Sequence, residues 1–150
     1  MSNEEINRKI AVIFATDLVG YSKHMEKDEN ATLLGLRECN KIIEPLIKKQ
    51  KGRIFNTGGD SVFAEFPSAV AAVDTAVEFQ KQIKARNDKD TTDVKLEYRI
   101  GINMGDVVKE GDNLLGDGVN IAARLEALAQ PGGITISKNC LLYTSPSPRD

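Results

Sequence analysis

The chain has 150 residues, 41% of them hydrophobic, which is the length of one domain with enough apolar material for a packed core. Twenty Lys and Arg against 22 Asp and Glu leave a formal charge of −2, which argues against a nucleic-acid or anionic-membrane surface. No apolar run approaches the roughly 20 residues that span a bilayer, and Met1-Ser2-Asn3-Glu4-Glu5 is too polar and acidic to open a signal peptide.

Residues 1–8 read as a polar leader. Ile10 to Phe14 is a continuous apolar run, short enough for a buried strand. It ends at Ala15-Thr16-Asp17. Leu18-Val19-Gly20-Tyr21-Ser22 then reads as a glycine-containing turn entering a helix. Free backbone N–H groups at Val19, Gly20, Tyr21 and Ser22 suit a polyphosphate, although Gly20 also serves as a plain turn glycine. Lys23 to Asn30 is polar. Asn30 is placed to cap a helix running to about Lys49, with Leu33, Leu36, Ile43 and Ile47 on one side and Pro45 bending it. Lys41, Lys48, Lys49 and Lys51 crowd its end as a solvated surface.

Residues 52–57 and 61–66 read as two short strands joined by the tight turn Gly58-Gly59-Asp60. Ser68 caps a helix with Ala69, Ala72, Val73, Ala76, Phe79 and Ile83 along one face. Asn87 to Asp93 is a polar loop. Leu96, Tyr98, Ile100 and Ile102 alternate with Glu97 and Arg99 as a half-buried strand, and Gly105 to Lys109 returns as its partner. Gly116 to Arg124 is a turn feeding a helix that ends near Ala129. Pro131-Gly132-Gly133 turns the chain into a last strand, Ile134 to Ser137. There is no internal repeat and no heptad pattern. The order β-α-α-β-β-α-β-β-α-β contains a β-α-β-β-α-β heart. That predicts an α+β, ferredoxin-like fold, an antiparallel sheet with helices packed on one face.

His24 is the only histidine, which excludes histidine metal clusters. Cys39 and Cys140 are far apart and in no metal-like spacing, so a reduced, cytoplasmic protein without disulfides is expected. Two constellations carry chemistry. Asp17 ends the first strand and Asp60 sits in the hairpin turn, and a ferredoxin-like sheet brings those two points together. Paired carboxylates on one rim make a hard-oxygen site for Mg²⁺; the plain alternative is a strand terminator and a turn residue. Asn120 and Arg124, four residues apart, share a helix face and offer an amide and a guanidinium fork to ribose and phosphate oxygens. The plain alternative there is an exposed Arg and an Asn near a helix start.

Four segments together carry a resemblance: Phe14-Ala-Thr-Asp-Leu-Val-Gly-Tyr-Ser22, Asn56-Thr-Gly-Gly-Asp-Ser-Val-Phe-Ala-Glu-Phe66, Arg99-Ile-Gly-Ile-Asn-Met-Gly-Asp-Val107 and Gly116-Asp-Gly-Val-Asn-Ile-Ala-Ala-Arg124. In order and spacing they resemble the class III nucleotidyl cyclase catalytic domain, the adenylate/guanylate cyclase family, over residues 9–139. The resemblance implies a palm-like fold and two ions, Mg²⁺ or Mn²⁺, on Asp17, Asp60 and the Leu18 carbonyl. It implies that Asn120 orients the ribose and Arg124 stabilises the α-phosphate. The implied reaction is attack of the ribose 3′ oxygen on the α-phosphorus with loss of pyrophosphate, giving cyclic AMP from ATP in intracellular signalling. It also implies a head-to-tail homodimer with shared active sites and a nucleoside triphosphate as substrate.

The chain departs from the family at the base pocket. Positions 56 and 113, where adenylate cyclases carry Lys and Asp, are Asn56 and Asn113, and the acid expected at position 56 for guanine is absent too. ATP is favoured as the commoner substrate of such domains. A catalytically degenerate nucleotide-binding or dimerisation module is the alternative. Gly58-Gly59-Asp60-Ser61 drifts toward the diguanylate cyclase signature, but the other segments do not fit that family. Residues 140–150, Cys-Leu-Leu-Tyr-Thr-Ser-Pro-Ser-Pro-Arg-Asp, resemble a translated sequencing adaptor more than an ordinary Ser/Pro-rich tail. On that reading native sequence stops near Asn139, a helix and hairpin carrying a triphosphate-contacting lysine are missing, the isolated chain is poorly active, and any regulatory domain lay C-terminal.

Overall fold

The computed structural model describes residues 7–92 and 94–144. The elements run β1 (Asn7–Leu18), α1 (Tyr21–Lys27), α2 (Glu29–Lys49), β2 (Arg53–Gly58), β3 (Ser61–Phe66), α3 (Ala69–Lys89), β4 (Tyr98–Glu110), β5 (Asn113–Leu115), α4 (Asp117–Leu128), β6 (Ile134–Ile136) and α5 (Lys138–Leu142). They build one sheet in the order β2-β3-β1-β4-β5, with β6 pairing β4. All pairings are antiparallel except β4 with β6. The α+β class and the burial of the first strand are as the sequence predicts.

Alternation along β1 divides the core. Val12 and Phe14 join a large cluster with Leu36, Cys39, Ile43 and Ile47 of α2 and Ala72, Ala76, Phe79 and Ile83 of α3. Ala11, Ile13 and Ala15 point the other way and pack with Val107, Leu114 and Ala122 of α4, bordered by Phe55, Phe63 and Val119. Helices therefore cover both faces, and the expectation of helices on one face is corrected. The continuous apolar run of β1 is the reason, because a strand buried on both sides needs a layer on each.

Three local expectations also change. The cap of α2 is Asp28, whose carboxylate accepts from the Ala31 N–H at 3.0 Å; Asn30 lies inside the helix, and Leu33 is exposed. Ser68 caps α3 as expected, but α3 runs on to Lys89, into the first residues of the predicted loop. Its end is fixed by the Asn87 side chain, which donates to the Leu96 carbonyl at 2.7 Å and accepts from the Leu96 N–H. Residues 98–110 form one unbroken strand beside the whole of β1, from Asn7↔Lys109 to Leu18↔Tyr98. Gly105 is no turn: it pairs with Ala11, and a Cβ there would press on the Asn103 amide nitrogen at 3.1 Å. The turn comes at Gly111, at φ 61°, and β5 returns from there.

The segment resembling a tail begins inside α5. Ser137 caps this helix, and Cys140 is fully buried in the larger cluster. Residues 145–150 lie outside the described residues.

Candidate active site

Asp17 and Asp60 do come together. β1 delivers Asp17 to the sheet rim beside β3, and the turn at Gly59, φ 58°, aims Asp60 back at it. The Leu18 N–H donates to Asp60 Oδ2 at 3.1 Å, fixing that carboxylate against the end of β1. Burial, with the Asp17 charge added, pushes the Asp60 carboxyl above its ordinary range, against the pull of the Leu18 N–H. Asp17 Oδ1 is buried and makes no hydrogen bond to a described residue. Orphaned carboxylate oxygens of this kind are costly unless a cation completes them.

Two residues that the sequence reading passed over complete this cluster. Arg99 lies directly across from Asp17 in the β1–β4 ladder, its carbonyl held by the Thr16 hydroxyl at 2.8 Å. Its guanidinium reaches Asp17 Oδ1 at 3.6 Å, Glu126 Oε2 of α4 at 3.2 Å and the Ala127 carbonyl at 3.3 Å. The Glu126 approach is off the hydrogen-bonding direction, so Arg99 Nε and Glu126 Oε2 also remain buried without a hydrogen bond. Burial and the Asp17 carboxylate, to which a protonated Glu126 hydrogen-bonds, push Glu126 from 4.5 up to about 8, against the pull of Arg99. Arg99 had read only as the polar side of an alternating strand. Register alone places it beside Asp17. The spacing Gly118-Ala122-Glu126 was the signal available for Glu126, because it puts an acid on the buried stripe of α4.

That stripe is pressed hard onto β4. A Cβ on Gly101 would lie 2.9 Å from Glu126 Cα and closer still to the Glu126 nitrogen and Ala122 carbonyl. One on Gly118 would lie 2.5 Å from the Asp106 carbonyl. The Asn103 amide adds a buried bond to the Gly118 carbonyl at 3.0 Å. Small residues at the crossing are what allow the helix to sit this close.

Asn120 and Arg124 do share one exposed face of α4, and neither side chain makes a hydrogen bond or ion pair among the described residues. Two residues along a helix is about 200° of rotation. Arg124 therefore faces away from the sheet to which Glu126 is bound, and the structure does not bring Asn120 and Arg124 to Asp17 and Asp60 within one chain.

At the candidate phosphate turn, the Val19 N–H donates to the Glu97 carbonyl at 2.8 Å, so it is not free for a phosphate as predicted. No hydrogen bond from the Gly20, Tyr21 or Ser22 amide is formed among the described residues, as expected for a first turn. Asn56 and Asn113 lie on opposite edge strands, but the sheet curls. Arg53 of β2 donates to the Asp112 carbonyl at 2.6 Å, closing β2 onto the turn before β5. A bulge at Phe55 re-aims the strand just before Asn56. The Asn113 side-chain oxygen accepts from the Leu114 N–H at 2.9 Å, and its NH₂ makes no hydrogen bond among the described residues. A groove of about 460 Å³ between α3 and the start of β4 contains none of these residues.

Known proteins resemble the chain in sequence and in fold. The family described as "Adenylate and Guanylate cyclase catalytic domain" matches residues 3–147. A Rhizobium meliloti (strain 1021) protein named "Putative adenylate cyclase 3" is 46% identical over 138 residues, 91% of this chain and 24% of that protein. The chain spans 15% to 33% of the length of the curated relatives it matches. Among solved structures, an adenylate/guanylate cyclase/hydrolase from Silicibacter pomeroyi is similar at TM-score 0.85 and 38% identity, covering 93% of this chain and 82% of that one. The adenylyl cyclase CyaB from P. aeruginosa is similar at TM-score 0.79 and 28% identity, covering 93% and 82%. With four ordered motifs, this topology and a match across nearly the whole sequence, the chain belongs to the adenylate and guanylate cyclase catalytic domain family.

Proposed function

We propose that the chain converts ATP to 3′,5′-cyclic AMP and pyrophosphate as a homodimer with two composite active sites. The observation that carries this reading is the opposed facing of α4. Glu126 looks inward toward Asp17, so Arg124 looks outward, and the carboxylates of one chain can work with Asn120 and Arg124 only of another. Ile121, Leu128 and Leu115 are exposed beside that outward face, which suits a second copy.

The donor set fits divalent ions that prefer oxygen, Mg²⁺ or Mn²⁺: a buried unpartnered Oδ1 on Asp17, the fixed Asp60 carboxylate, and the Leu18 carbonyl at the same strand end. Two such ions, when bound, supply charge stabilisation and activation of an attacking oxygen. The Arg124 fork donates to the α-phosphate as its charge develops, and the Asn120 amide orients the ribose so that the 3′ oxygen lies in line. Backbone N–H groups of Gly20, Tyr21 and Ser22 hold the outer phosphates. Asn113 donates its NH₂ to a ring nitrogen, while the exposed Asn56 accepts from the 6-amino group of adenine. Among the described residues no helix is long and apolar enough to cross a membrane. We assign the domain to the cytoplasm, where nucleoside triphosphates are made.

Complementation tests the reading. Asp60→Asn and Arg124→Ala should each abolish cyclic AMP formation alone. A re-equilibrated equimolar mixture should recover about a quarter of wild-type activity, because half the dimers are mixed and each has one intact site. An inactive mixture whose mixed dimers are demonstrated would refute the shared site. Nucleotide binding without any cyclic product from the unaltered dimer, with either ion and either ATP or GTP, would favour a degenerate binding module instead.

A further inference from the structure

The contacts around Arg99 give Glu126 a task that the cyclase reading leaves unassigned. Arg99 is the one cation among the described residues paired with Asp17, and its side chain is 29% exposed against 24% for Asp17 and 11% for Glu126. A guanidinium opposite a carboxylate in an antiparallel ladder ordinarily closes into a short, two-pronged pair. Here it does not. The Nη2 to Oδ1 distance is 3.6 Å, and Asp17 Oδ1 is left buried and without a hydrogen bond. The guanidinium is drawn aside at its other nitrogens, Nε by Glu126 Oε2 at 3.2 Å and Nη1 by the Ala127 carbonyl at 3.3 Å. Both anchors belong to the last turn of α4, which sits this close to β4 because Gly101 and Gly118 carry no side chain at the crossing.

We propose that Glu126 is a positioning residue that holds Arg99 off Asp17, and so keeps the Asp17 carboxylate open for a divalent cation. The inference rests on the reading of Asp17 and Asp60 as the ion-holding pair. Without the Glu126 carboxylate, the guanidinium swings about its remaining anchor and closes on Asp17. Arg99 then competes with the cation for the same oxygen.

A double-mutant cycle on Mn²⁺ affinity separates this role from plain electrostatics, with free Mn²⁺ measured by electron paramagnetic resonance on the chain without nucleotide. Glu126→Met, which removes the acceptor, should weaken Mn²⁺ binding about tenfold or more, the usual scale for losing a residue that orients a ligand. Arg99→Met, which removes the competitor, should tighten it. Adding Glu126→Met to Arg99→Met should then change the affinity by less than about twofold. Glu126→Gln keeps an acceptor oxygen while losing the charge, and should stay within about threefold of the unaltered chain. If methionine is not accommodated in the fold, Glu126→Ala makes the same cut. Equal weakening by Glu126→Met with and without Arg99, or equal weakening by Gln and Met, would overturn the positioning role and leave plain electrostatics. Failure of the unaltered chain to bind Mn²⁺ more tightly than Asp60→Asn would instead overturn the ion-holding pair, and this inference with it.

Discussion

Gly101→Ala is a direct probe of the seat of α4. Gly101 lies mid-sheet, paired with Ala15 on one side and Thr135 on the other, and its missing side chain would project at α4. The added Cβ would stand 2.9 Å from Glu126 Cα, and nearer still to a backbone nitrogen and a backbone carbonyl. Ordinary contact begins at 3.4 Å, so relieving the nearest of these atoms needs a retreat of about an ångström. None of these atoms belongs to a flexible side chain, and no rotamer change relieves them. We expect a loss of about 3 kcal/mol, the upper end for overpacking. At about 2–4 °C per kcal/mol for a domain of this size, the midpoint should fall by about 6–12 °C. Gly58→Ala, which meets nothing within 4 Å, is the control and should move it by no more than about 2 °C. Differential scanning calorimetry of the ion-free chain reads both. A Gly101→Ala midpoint matching the control would refute the close packing of α4 on β4, and with it the facing argument for Arg124.

Asp60→Asn keeps an oxygen to accept from the Leu18 N–H, so it should fold with little loss of stability while cyclic AMP formation falls at least about a hundredfold; unchanged turnover would sink the assignment. The ion-free chain should lose stability as pH rises from the ordinary glutamate range to about 8. The folded state raises Glu126 and so favours the protonated form; in chelator-containing buffer, Glu126→Gln should flatten that slope. Glu65 has the opposite sign: although burial works against it, ion pairs with Lys9 at 2.6 Å and Arg53 at 3.2 Å hold its carboxyl low. That stability is lost only as pH falls through and below the usual carboxylate range, and Glu65→Gln should remove the loss from an acid titration followed by circular dichroism.

How much of this was legible in the sequence follows from the range of each interaction. Periodicity and caps are local, so β1, the β2–β3 hairpin with Asp60 in its turn, and the Ser68 cap of α3 could be read directly. Gly105 was misread because a glycine in a turn and one inside a strand look alike in sequence; only its pairing with Ala11 tells them apart. The layer on the second face of the sheet was hidden for a similar reason. An apolar run such as Ile10 to Phe14 shows that a strand is buried, but not which helix covers each side. Asp17 and Asp60 could be paired by topology, whereas Arg99 and Glu126 required the ladder register and the rotation of α4. Residue type and spacing singled out the motif residues, resemblance supplied their proposed roles, and their partners came through geometry.

The two faces of α4 make a further consequence testable. In the proposed dimer Arg124 serves only the neighbouring site, so a mixed dimer of one unaltered chain and one Arg124→Ala chain should keep one working site of two, about half the activity. Gly101→Ala acts differently. It displaces a helix whose outer face carries Asn120 and Arg124 toward the neighbour, and whose inner face anchors Arg99 beside its own chain's Asp17. One displaced helix therefore disturbs both composite sites, one from the Asn/Arg side and one from the carboxylate side. A mixed dimer with a single Gly101→Ala chain, assayed below its unfolding midpoint, should fall well under half of wild-type activity. If it retains half, the inner face of α4 does not matter to the carboxylates, and its contact with Arg99 is only packing.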